Sequence, residues 1–225
     1  MKADGLAVVQ GWPETVATLH RWRRAPRRRL VEWALGSLAV TAFLLGATWW
    51  VALMATPDPT PYVFPGLTRP ATAHDFGFVL YRNGLVLALH AMACVAGFIA
   101  GSAGIAAGGR MHRHAGRLAL GFVAAATLFS LSTQALALGN AAATLAAQLG
   151  VSPLRLLLTL TPHAVPELFA LFLPLAAWTI AAHRRAWGEL LAATFVTTGL
   201  AIPLVVAAAA IETWVTPGLL AHLQG

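Results

Sequence analysis

Charged side chains are scarce in this 225-residue chain: Asp, Glu, Lys and Arg together make up 10% of it, against 58% hydrophobic residues. So few charges cannot coat a soluble domain of this size, and a mean hydropathy of +0.71 belongs to an integral membrane protein. Cysteine is nearly missing as well. Cys94 stands alone, so no disulfide forms within the chain, and an iron–sulfur or Cys-ligated zinc site held by one chain is excluded. Acidic residues number eight against fifteen Lys and Arg, a balance that would suggest nucleic acid in a soluble protein. Here the basic residues flank apolar runs, where the positive-inside rule accounts for them and no nucleic-acid partner is implied.

What is abundant is apolar sequence in long blocks. Residues 1–29 read as a basic cytoplasmic tail, with a short interfacial helix around residues 15–22 and an arginine block from Arg21 to Arg29. Anionic lipid on the cytoplasmic leaflet would attract such a block. A single transmembrane domain then covers residues 30–216, with spans at about 30–54, 77–108, 118–138, 161–182 and 189–214. A short outer tail, 217–225, completes the chain.

The connections follow from local composition. Pro57, Pro59, Pro61, Pro65 and Pro70 describe an extended outer loop. Gly97-Phe98-Ile99-Ala100-Gly101 is a GxxxG pattern that suits close helix packing. Arg110, His112, Arg113, His114 and Arg117 form a tight basic turn. Gly139-Asn140 reads as a break, residues 141–149 as a short amphipathic helix and Ser152-Pro153 as a new N-cap, so residues 139–160 are expected as a short interfacial or re-entrant segment before the fourth span. The expected fold is therefore all-α, an integral membrane bundle of about five helices. With the N-terminus inside and the C-terminus outside, twelve of the fifteen Lys and Arg fall on the cytoplasmic side, leaving Arg69, Arg82 and Arg155 outside.

One stretch carries chemistry: Thr161-Pro162-His163-Ala164-Val165-Pro166-Glu167-Leu168. Thr161 suits an N-cap and Pro162 a first helical position, so a helix is expected to start there. His163 and Glu167 are four residues apart and share a helix face. Ionisable groups inside apolar spans are costly and turn toward the bundle interior. Asn83 and His90 on the second span and Glu212 on the fifth are expected in the same outer-leaflet layer. A rise of about 1.5 Å per residue would place His90 and Glu167 each roughly 10 Å below the outer surface. The candidate cluster is thus His163, Glu167, Glu212, His90 and Asn83. It lacks the His-Glu-x-x-His spacing of a metalloprotease, so no metal, cofactor or catalytic residue is assigned. A hydrogen-bond network that fixes helix register competes with a functional site.

Pro162-His163-Ala164-Val165-Pro166-Glu167-Leu168 resembles the Pro-His-Gly-x-x-Glu-Leu-like motif of the stage II sporulation protein M family of bacterial and archaeal membrane proteins. Asn83 at the opening of the second span, and Ala208 to Glu212 with nearby Pro217, are similar to further features of that family. Ala164 replaces its usual glycine, and Gly139-Asn140 reverses its mid-chain Asn-Gly. The resemblance, over most of residues 25–218, implies a multi-pass cell-membrane protein without an established chemical activity. In endospore formers the family member serves a complex with a peptidoglycan hydrolase and a third membrane-anchored protein. A non-enzymatic scaffold for envelope or cell-wall remodelling follows, with the lipid bilayer and other membrane proteins as partners; self-association stays open. A membrane-embedded metal-dependent hydrolase and a permease-like subunit are the alternatives.

Orientation is checked by thiol labelling. Asp58→Cys and Gly218→Cys should react with an impermeant maleimide in intact cells, and His114→Cys should not. Labelling at 114 with protection at 58 would invert the topology.

Overall fold

The computed structural model describes residues 11–24, 26–61, 63–106 and 110–223, with side chains left aside over residues 101–120. Its described residues are helical, apart from one loop and short turns. A short helix, α1 (Trp12–Arg23), precedes α2 (Pro26–Met54), α3 (Ala73–Ala106), α4 (Arg110–Leu149), α5 (Pro153–Arg184) and α6 (Leu190–Ala210). A 3-10 turn, Trp187–Glu189, leads into α6. A π-helical turn, Ile211–Val215, joins α6 to the short helix α7 (Thr216–Ala221). Five of these segments are long and apolar enough to cross a membrane, as the composition requires. Exposed Phe43, Trp50, Phe78, Met92, Phe122, Phe129 and Phe195 give the bundle an apolar outer surface.

Helix α5 is the most buried of the five. Its start differs from the sequence expectation. The N-cap is Ser152, whose side chain accepts the Arg155 N–H, with Pro153 in the first turn. Thr161 and Pro162 lie well inside the helix. Three prolines, Pro162, Pro166 and Pro174, are carried without ending it. The first is compensated locally: Pro162 cannot donate to the carbonyl of Leu158, and the Thr161 hydroxyl donates to it instead at 2.7 Å.

Residues 139–149 also depart from expectation. No separate interfacial segment precedes α5; α4 runs unbroken through Gly139-Asn140 to Leu149. Gly139 is there for closeness rather than for a break. A Cβ at this position would lie 2.5 Å from Val51 of α2, a contact only glycine permits. Asn140 turns its amide back onto the Leu136 carbonyl at 2.8 Å, keeping the ladder intact. Likewise Gly36 brings α2 against Ala176 of α5, and Gly97 brings α3 against Trp178 and Leu190. The second half of the GxxxG, Gly101, falls outside the described side chains. So do His112 and His114, although the backbone from Arg110 is already helical rather than a turn.

The two ends of the bundle are built differently. At one end α1 lies across the helices, burying Thr15, Thr18 and Trp22, with Trp22 edge-on to Trp33 at 5.3 Å. Arg29 forks onto Glu189 at 2.6 and 3.0 Å, and Arg184 forks onto Glu32 at 2.9 and 3.0 Å. Part of the arginine-rich sequence is therefore a set of helix clamps. At the other end the proline-rich loop folds over the bundle. Thr72 and Asp75 form a capping box at the start of α3, and Arg69 pairs with Asp75. Gly66 takes a positive φ of 84° where a Cβ would strike Pro217. The Thr60 N–H donates to Asp58 at 2.8 Å and holds its carboxyl below the ordinary value. The expected outer tail is partly α7 at this end, with Leu220 fully buried beside Leu156 and Ala146.

Candidate functional site

Beneath that loop lies a cavity of about 370 Å³. Its wall draws on α2, α3, α4, α5, the loop and the π turn. Four of the five residues singled out from the sequence meet here: Asn83 from α3, His163 and Glu167 from α5, and Glu212 from the π turn. Helix α3 brings Arg82 to the same cavity, where it is exposed at the rim. The opposite wall is apolar, with Leu45, Leu138, Leu145 and Leu160 among its members.

His90 is the exception. It is 2% exposed, and its Nδ1 lies 3.0 Å from the Leu171 carbonyl, one turn beyond Glu167. Its ring packs on Phe172 at 5.5 Å and does not line the cavity. Because α5 starts at Pro153, Glu167 lies about 21 Å along it, near the middle of the helix rather than in its first two turns, and His90 lies about 26 Å along α3, one turn deeper. His90 belongs to the packing between α3 and α5.

His163 and Glu167 share a helix face without pairing. His163 Nδ1 instead meets the Thr216 hydroxyl at 2.8 Å, linking α5 to α7. Glu167 looks toward Glu212, Asn83 and Arg82 and interacts with all three. That environment leaves hydrogen-bonding capacity unused. Thr48 Oγ1, Asn83 Nδ2 and Glu167 Oε2 are buried without a partner of normal geometry, and all three residues line the cavity. Each such group costs about 1–3 kcal/mol when left dry, so the cavity is built for polar contents. Among the described residues no group of three His, Cys, Asp or Glu is placed to hold a metal ion.

Two contributors escaped the sequence reading. Thr216 sat beyond the expected last span, and nothing in a lone threonine before Pro217 marks a histidine partner. Thr48 was one threonine in an apolar run, although its place on the buried stripe Trp33, Ser37, Thr41, Leu44, Thr48, Ala52 was readable from helical spacing. The π turn had no signal at all, yet it sets the direction of Glu212; such turns recur at functional sites.

The architecture and site define a five-helix bundle with an acid-lined internal cavity. No family model, curated protein or solved structure matches the chain.

The His163–Thr216 bond gives a direct test. Thr216→Val should lower stability in detergent by about 1–3 kcal/mol, because it strands a buried imidazole nitrogen. Thr159→Val, which only removes an exposed bond to its own helix at Arg155, should change it by less than about 0.5 kcal/mol. Equal melting temperatures for Thr216→Val and wild type would remove the α5–α7 link.

Proposed function

We propose that this chain is a multi-pass cell-membrane protein that works by binding and positioning partners, in the manner of the stage II sporulation protein M family. Its N-terminus is inside, and the process it serves is envelope remodelling. The observation that carries the proposal is the cavity shared by Asn83, Glu167 and Glu212, with its unpartnered polar atoms. Such a constellation is equipped to recognise a group and hold it. Polar residues kept only to fix helix register would satisfy one another, as His163 and Thr216 do. The residues that converge are also the ones carrying the resemblance: the Pro-His-x-x-x-Glu stretch, the asparagine of the second span and the glutamate near the chain end.

A metal-dependent hydrolase is the second reading, favoured by two carboxylates in one enclosed space. Against it, His163 commits its Nδ1 to Thr216, and the described residues offer no three-ligand group. Among the described residues the cavity wall has no serine or cysteine either, so an activated nucleophile drawn from them would have to be water.

Reversible cross-linking and co-purification from native membranes separate these readings. Glu167→Gln and Glu212→Gln should reach wild-type folded yield, yet retain the partner recovered with wild type at least about tenfold less well. Unchanged recovery in both variants would reduce the pair to architecture. A stoichiometric metal ion in the wild type, lost in His163→Ala, would favour the hydrolase.

A further inference from the structure

The chemistry of the cavity wall narrows what it holds. Inside are two carboxylates, Glu167 and Glu212, which attract a positive group with hydrogens to donate. At the rim Arg82 is exposed within an apolar stretch of α3; it faces both glutamates by charge, but no ion pair at contact distance is formed by it among the described residues. One guanidinium held off from two carboxylates keeps donors for an anionic oxygen at the rim. Beside it the buried Asn83 amide is directed at Glu167 outside normal hydrogen-bond geometry, and the buried Thr48 hydroxyl has no partner. A bare cation would leave Arg82 without an anionic oxygen at contact distance, and a bare anion would face the glutamates. A group bearing both charges a few atoms apart suits both ends of the site.

Two further features choose among such groups. The apolar wall formed by Leu45, Leu138, Leu145 and Leu160 continues from the polar pole and suits a hydrocarbon chain. Among the described residues, Phe64 is the only Phe, Tyr or Trp on the cavity wall. Quaternary ammonium groups, which have no N–H to donate, are held by cages of several aromatic rings; a primary ammonium is held by carboxylates.

We propose that the cavity is a site for one lipid molecule whose headgroup is a phosphate-linked primary amine, the ammonium received by Glu167 and Glu212 and the phosphate held at the rim by Arg82. The site is the one on which the proposed partner-positioning function rests, so the lipid is its ligand class.

Native mass spectrometry of the full-length, delipidated protein tests this, with phosphatidylethanolamine, phosphatidylcholine of matched chains and soluble phosphoethanolamine as probes. Wild type should hold one phosphatidylethanolamine about tenfold more tightly than phosphatidylcholine, and Glu212→Gln should lose that preference. Arg82→Gln, compared with wild type at a temperature where both are folded, should weaken phosphatidylethanolamine about tenfold. Equal retention of the two lipids, undiminished binding in both variants, or no lipid bound, which would mean water only in the cavity, overturns the proposal. Soluble phosphoethanolamine binding as tightly as the lipid would overturn the lipid source while upholding the headgroup chemistry. Partner loss in Glu167→Gln without any lipid preference in wild type would sink the ligand and leave the positioning function. A lipid preference with no partner recovered would do the reverse.

Discussion

A carboxylate midway along an apolar helix loses hydration worth several kcal/mol unless other groups meet it. Glu167 is such a group, and the neighbouring elements are arranged around it. Helix α3 supplies Asn83 and Arg82, and the π turn after α6 supplies Glu212. Helix α2 supplies the Thr48 hydroxyl, and the proline-rich loop closes over the top through Phe64. The loop is itself held by the capping box of α3 and by Gly66 against Pro217. Moving any of these would open the acid to lipid or leave it in a dry apolar core.

Helix α5 reaches this position because its three prolines are tolerated rather than disruptive. Each leaves a carbonyl four residues earlier without its N–H, and the first of these is answered within α5 itself. Thr161 answers at Leu158. One turn below the cavity, His90 reaches the Leu171 carbonyl, and Cys94 donates to the Pro174 carbonyl at 3.1 Å. His90, singled out from the sequence as a candidate site residue, and the lone cysteine thus have packing roles against the proline-bearing part of α5. The glycines do the complementary work, bringing α2 to α4 at Gly139 and to α5 at Gly36.

The five long helices were legible from composition and hydropathy, because in a lipid environment backbone groups must be satisfied within each span. The ends of the helices were not. Thr161-Pro162 carries every mark of a helix start, and Ser152-Pro153 carries the same marks nine residues earlier; only packing decides between them. Gly139-Asn140 reads as a break in one dimension and is a close contact with Val51 in three. The candidate site was readable to the extent that ionisable groups in apolar runs converge, which brought Asn83, His163, Glu167 and Glu212 together. That convergence did not hold for His90, which lies one turn beyond Glu167 and is taken up by the Leu171 carbonyl. Thr216 and the π turn lay beyond reach, since pairing across α5 and α7 depends on how the chain folds back after Ala210.

The register of α3 on α5 decides whether the cavity exists in this form. Disulfide trapping in native membranes measures it, in a Cys94→Ala background. Asn83→Cys with Glu167→Cys should cross-link readily under mild oxidation, and His90→Cys with Glu167→Cys should not. Trapping of 90 with 167, and none of 83 with 167, would shift α3 by about two turns and take Asn83 and Arg82 away from the glutamates.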